Sequence, residues 1–116
     1  MAYTIFMPED IRIKTFVIPY AYDCRKRHQH HRYKNKIVEF VVQLEILVEG
    51  NWHPVIRYDT THGFAHCDII HHSGKVEKVR MPTLDYKEAL TYADEDLNEN
   101  WQSYRIRYLK EVDNDR

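Results

Sequence analysis

A chain of 116 residues, 43% hydrophobic and 30% charged, fits one compact domain, and its nine Tyr, four Phe and two Trp exclude a disordered polar chain. Its apolar runs fall far short of the roughly 20 residues that span a bilayer, and Met1-Ala2-Tyr3-Thr4 lacks the basic and apolar regions of a secretory signal, so a cytoplasmic protein is expected. A net charge of -1 hides a polarity: residues 21–36 carry six bases (Arg25, Lys26, Arg27, Arg32, Lys34, Lys36) against Asp23 alone, whereas residues 85–116 carry nine acids against five bases.

In chain order, Ile11 to Ile18 reads as a strand ending at Pro19. Tyr20 to Asn35 shows no clean period and reads as a basic loop or arm. Within it Arg25, Lys26, Arg27, His31, Arg32, Tyr33 and Lys34 are candidate RNA contacts, since cations neutralise phosphates and a phenol ring can stack on a base. A solvated loop is the plain alternative. His28, His30 and His31 lie close together but have no fixed metal-binding geometry.

From Lys36 to Val48, Val38, Phe40, Val42, Leu44, Ile46 and Val48 recur at every second position, the period of a half-buried strand. Glu49-Gly50-Asn51 turns the chain into a returning strand, Trp52 to Thr60. With a three-residue loop Val48 faces Trp52, Leu44 faces Ile56 and Val42 faces Tyr58, which sends Arg57 and Asp59 to the opposite face. Turns at 60–63 and 72–74 then frame strands at 64–71 and 75–81, completing an antiparallel meander. Cys24 and Cys67 are expected as free thiols in a reducing compartment.

Pro82 ends the sheet, and Asp85-Tyr86-Lys87-Glu88 has the spacing of a capping box. Tyr86, Leu90, Ala93, Leu97, Trp101, Tyr104 and Tyr108 follow at steps of three and four, a stripe able to cover one face of the sheet. The tail from Glu111 to Arg116 is expected to fray. The expected fold is thus a single α+β domain, 1–116: an N-terminal strand and basic arm over 1–35, a meander of four to five strands completed over 36–81, and one long helix over 83–110.

Chemistry concentrates in Arg57-Tyr58-Asp59-Thr60-Thr61-His62-Gly63-Phe64-Ala65-His66-Cys67-Asp68. Three readings compete. Arg57, Tyr58, Asp59, His62 and His66 could form a metal-free site, with the imidazoles as acid and base and Arg57 stabilising a pentavalent phosphate. His62, His66 and His71 with Asp59 or Asp68 could instead bind a metal. The structural alternative has Asp59 capping the turn, Arg57 paired with Glu45 and the imidazoles half-wet.

His31-Arg32-Tyr33-Lys34, a strand, Gly50 in a turn and then Tyr58-Asp59-x-x-His62-Gly63-x-x-His66 resembles the TumE-type toxins of prokaryotic toxin–antitoxin pairs. Thr60 stands where those proteins commonly have Asn, and Cys67-Asp68 where they have a further His. The stretch from Val41 to Trp101 is similar, more closely, to short uncharacterised bacterial and archaeal proteins with the pattern Arg-Tyr-Asp-Thr-x-His-Gly-x-x-His-x-Asp and an Asp-Tyr-x-Glu-Ala-Leu helix. The toxin resemblance implies an RNA-directed protein made beside a small antitoxin. The combined expectation is an RNA-binding, metal-independent endoribonuclease that needs no cofactor, with a homodimer left open. Its rival is a non-catalytic module that docks on nucleic acid or on an acidic partner.

Overall fold

The computed structural model describes residues 10–82 and 85–116. Six strands, β1 (Ile11–Ala21), β2 (Cys24–Tyr33), β3 (Lys36–Val48), β4 (Asn51–Asp59), β5 (His66–Ile70) and β6 (Val76–Arg80), precede a single helix, α1 (Tyr86–Asn114). The strands lie side by side in chain order, each antiparallel to the next. The expected α+β class holds, with one strand more than the four or five expected.

The extra strand is the basic run. It is not an arm but β2, paired with β1 on one side and β3 on the other. Its alternation escapes a hydropathy reading because both faces are polar: Lys26 and His28 are buried on the helix side with Cys24, while Arg25, Arg27 and Gln29 point the other way. The cations are offset by partners from elsewhere. Glu45 on β3 accepts from Arg25 Nε at 2.7 Å and Arg27 Nε at 3.2 Å, and Asp94 on α1 accepts from Lys26 Nζ at 3.1 Å.

The β3–β4 hairpin corrects one expected pairing and keeps two. Its loop has two residues, Glu49 and Gly50, both at positive φ (51° and 82°), the arrangement whose twist suits a tight hairpin. Val48 therefore faces Asn51, and Leu47 faces Trp52. A bulge at Val55 shifts the register back, so that Leu44 faces Ile56 and Val42 faces Tyr58 as expected.

Helix α1 is capped by the Asp85 carboxylate, which accepts from the Glu88 amide at 2.8 Å. The expected helix start at residue 83 lies outside the described residues. The helix packs mainly across β3, with β4 and β2 on either side. Ala89, Leu90, Ala93, Leu97, Tyr108 and Val112 bury against Phe40, Val42, Leu44, Ile46 and Ile56 to form the core, each large aliphatic side chain contributing about 1.5–3 kcal/mol. Both cysteines are buried free thiols, and burial pushes Cys24 up to about 12 and Cys67 up to about 11. Among the described residues no helix is long and apolar enough to cross a membrane.

The expected fraying of the tail is not found before Asn114. Val112 is buried, and Glu111 accepts from the His72 amide at 3.0 Å and Arg107 Nη1 at 2.9 Å, while His71 bridges Glu111 and Glu77 at 3.0 Å and 2.6 Å. The Glu77 and Glu111 carboxylates raise His71 above its ordinary 6.5. Burial opposes the charge on Glu111, but the His72 amide, Arg107 and His71 outweigh it and hold the carboxyl at about 2. The His71 contribution is full below pH 6.5 and fades as pH rises through its raised folded value. The Glu111 contribution is full above the ordinary 4.5 and fades as pH falls toward 2. Amide exchange over residues 108–114, corrected for intrinsic rates, should therefore be slowest between pH 4.5 and 6.5 and accelerate on either side. Protection independent of pH would show that packing of Val112 alone holds the tail.

Candidate functional site

Because neighbouring residues on a strand face opposite ways, the helix takes one face of the sheet and leaves the other uncovered. Cross-strand register on the uncovered face aligns Arg27, Gln43, Arg57, Asp68 and Lys78 in one row, and Gln29, Val41, Asp59, His66 and Arg80 in the next. Arg57, Asp59, His66 and Asp68 thus share the face away from α1, as their spacing predicts.

Asp59 and His66 form the centre of this face. Both are buried, and Asp59 Oδ1 lies 3.0 Å from His66 Nε2 while also accepting from the Thr61 amide at 3.1 Å. The other ring nitrogen of His66 faces the Phe64 carbonyl at 3.4 Å. Two oxygen acceptors therefore flank one imidazole and fix the orientation of its ring. His62 belongs to the turn at 60–65 and is exposed; its ring stacks on His66 with centroids 5.6 Å apart. Gly63, at φ 83°, turns the chain there in a conformation a side chain would strain.

Arg57 donates from Nε to Gln43 Oε1 at 3.0 Å, and Arg80 stands directly across β5–β6 from His66. Neither makes an ion pair with a described residue. Asp68 is buried, its Oδ1 has no hydrogen-bond partner among the described residues, and the nearest counter-charge is Lys78 Nζ at 4.0 Å. One donor atom each from Asp59, His66 and Asp68 lies within 4.8 Å of the others, close enough to hold a metal ion. The turn carrying His62 separates two small clefts, one of about 120 Å³ beside His31 and Thr61 and one of about 270 Å³ beside Gly63 and Arg80. Neither cleft is large enough to enclose a drug-sized molecule.

The expected residues divide sharply. Asp59, His62 and His66 come together and Arg57 shares their face one row away, whereas Tyr58 turns under the helix, is 4% exposed and donates its hydroxyl to Asp96 Oδ2 at 2.7 Å. Burial first and Asp96 second raise its pKa far above that of a free phenol, and its hydroxyl lies on the face opposite Asp59 and His66. Lys26 is likewise withdrawn, 2% exposed beneath α1. Arg25 and Arg27 stay on the open face, paired with Glu45, and Arg25 also covers the Trp52 ring at 3.9 Å. His31 Nδ1 meets Glu39 at 2.5 Å, Tyr33 and Lys34 form the β2–β3 turn with Lys34 Nζ over the Tyr33 ring, and Arg32 points to the helix side. His71 lies with Glu77 and Glu111, apart from the metal-capable group, and the expected Arg57–Glu45 pair is replaced by Arg57–Gln43.

Arg80 is the residue that the sequence reading misses. It lies 14 positions beyond His66, and only the length of the β5–β6 turn brings the two together. Asp68 is given a chemical role only in the metal alternative, yet its Oδ1 is the buried side-chain oxygen left without a hydrogen-bond partner among the described residues.

No curated protein and no solved structure matches this chain significantly. A family model does match, covering residues 7–114, and by that match the chain belongs to DUF7718, a domain family of unknown function.

Proposed function

We propose that the protein binds RNA along the open face of its sheet and cleaves it without a metal, with His62 as base and His66 as acid. The observation that supports this most is the pairing of two imidazoles with centroids 5.6 Å apart, one held by Asp59, on the face that also carries Arg57 and, across β5–β6 from His66, Arg80. Acid and base must both reach one phosphate, and this separation allows it. In the reaction the 2′-hydroxyl gives its proton to His62 as its oxygen bonds to phosphorus. The bond from phosphorus to the 5′-oxygen breaks, and that oxygen takes the proton from His66 Nδ1, which exchanges its long 3.4 Å contact with the Phe64 carbonyl for the leaving group while Asp59 keeps Nε2. A 2′,3′-cyclic phosphate and a 5′-hydroxyl remain, with Arg57 and Arg80 offsetting charge on the pentavalent phosphorane. The toxin-like role and an antitoxin partner rest on the resemblance of the His31–Lys34 segment, the Gly50 turn and the Tyr58–His66 segment alone.

If this face carries RNA, Arg57→Ala and Arg80→Ala should each weaken binding for all sequences alike and reduce the slope of log affinity against log salt by about 1. Arg80 is exposed and Arg57 half-buried with one hydrogen bond to Gln43, and neither has an ion pair with a described residue, so their loss spares the fold. An unchanged affinity and salt slope in both variants would remove RNA from this face.

A second reading has its own observation. The orphaned Asp68 Oδ1, with Asp59 and His66, offers a divalent cation two carboxylates and an imidazole, a set suited to Mn²⁺ or Zn²⁺. Calorimetric titration with each ion would support it by a saturable site lost in Asp68→Asn. Absence of binding would leave the metal-free reading.

A further inference from the structure

On the opposite side of the sheet, beyond the first turns of α1, β1 and β2 enclose with the helix a groove of about 520 Å³. Lys14 from β1, Arg32 from β2 and Lys87 from α1 line it, and all three are exposed. None has a carboxylate partner among the described residues, in contrast to Arg25, Lys26, Arg27, Arg105 and Arg107, which are all engaged. The carboxylate that reaches the groove, Asp94, is already occupied by Lys26 and His28. Three uncompensated cations on one concave surface repel one another, and an anion bound there removes that repulsion.

The groove also contains a chain of side chains poised to accept a proton. Asp94 Oδ1 lies 3.4 Å from His28 Nδ1, and His28 Nε2 lies 2.7 Å from His30 Nδ1. A carboxylate only accepts, so with both rings neutral His28 carries its hydrogen on Nδ1 and receives one at Nε2 from His30 Nδ1. That order leaves the lone pair of His30 Nε2 free. His28 is buried and stacks on Phe16 with centroids 4.3 Å apart, so the relay is held rigidly. Phe16, Ile37 and Leu90 add an apolar wall.

We propose that this groove is a binding site for a phosphate monoester of nucleotide size, with Lys14, Arg32 and Lys87 holding the dianionic phosphate, His30 Nε2 taking up a proton from solvent to pair with it, and the apolar wall facing the nucleoside. The volume exceeds what phosphate alone fills, and the pairing of cations with an aromatic wall matches a ligand that is anionic at one end and flat at the other. The site is independent of the open face, which lies across the sheet. His30 is lowered in the free protein by burial first, then by His28, Arg32 and Lys14, against a smaller opposing effect of Asp94. Lys87 lines the same groove from the helix. A bound dianion reverses this repulsion, so binding draws a proton onto His30 and strengthens as pH falls from 7.5 toward 6.

Calorimetric titration of the full chain with AMP tests the proposal. The expected result is one saturable site, weakened about tenfold or more by Lys14→Ala and by Arg32→Ala, both exposed positions whose loss spares the fold. His30→Gln should retain binding at pH 7.5 and lose the strengthening at pH 6. Arg57→Ala should leave AMP binding unchanged, which separates failure of this site from failure of the open-face reading. Competition by a 5′-phosphorylated oligonucleotide, but not by its 5′-hydroxyl form, would assign the phosphate to an RNA end; no competition by either would assign it to a free nucleotide. Absence of saturable binding, or an affinity indifferent to Lys14 and Arg32, would overturn the proposal.

Discussion

His62→Ala should lower the rate of RNA cleavage by roughly 10² or more while leaving thermal stability unchanged, because removing a general base costs that much and the exposed His62 ring carries no part of the core. His66→Ala should lower the rate at least as far. It should also cost some stability, since it leaves the buried Asp59 carboxylate without its imidazole partner at 3.0 Å. The two losses should not add, because acid and base act in one step. Tyr58→Phe provides the contrast: the hydroxyl lies under the helix on Asp96, so the variant should keep its rate and lose only the stability of one buried hydrogen bond, about 1 kcal/mol. A full rate in both His62→Ala and His66→Ala, measured on a labelled oligonucleotide, would remove the pair from the chemistry.

The largest effect on stability is expected at Asp94. This carboxylate accepts from the Lys26 ammonium, whose side chain is 3% exposed, at 3.1 Å. Deleting one partner of a buried pair leaves an uncompensated charge and costs about 3–5 kcal/mol in a dry interior. Asp94 is 30% exposed, and Asn98 Oδ1 remains as a second acceptor for Lys26 at 3.1 Å, so Asp94→Ala should cost less, about 2–3 kcal/mol by urea unfolding. Adding Lys26→Met should restore most of that loss, since an unbranched apolar chain fills the same space. A cost below 0.5 kcal/mol for Asp94→Ala would mean that water already solvates Lys26.

Strand β3 and helix α1 are legible in the sequence because each has one apolar face and one polar face, which imprints a period of two or of three to four. Strand β2 has no such contrast. Lys26 and His28 occupy inward positions normally given to apolar residues, and the groups that make their burial tolerable, Asp94 and Asn98, lie 66 to 72 residues away. Nothing local announces that compensation. The site shows the same division. Arg57, Asp59, His66 and Asp68 follow from alternation and one hairpin, but the same alternation sends Tyr58 to the other face although it lies between two site residues. Arg80 depends on how long the β5–β6 turn is, and the Asp94–His28–His30 chain depends on where the helix crosses β2. Those are properties of packing rather than of spacing.

The measurement that bears most directly on a metal-free histidine site is incubation of the full chain with mixed RNA, with and without chelator, followed by analysis of product ends across a pH series. Cleavage that survives chelator, leaves 2′,3′-cyclic phosphate and follows a bell-shaped pH profile is the predicted result, since one imidazole must be neutral and the other protonated in the same step. Cleavage abolished by chelator would assign the chemistry to a cation at Asp59, His66 and Asp68, and no cleavage of any RNA would contradict the account and leave the open face as a binding surface alone.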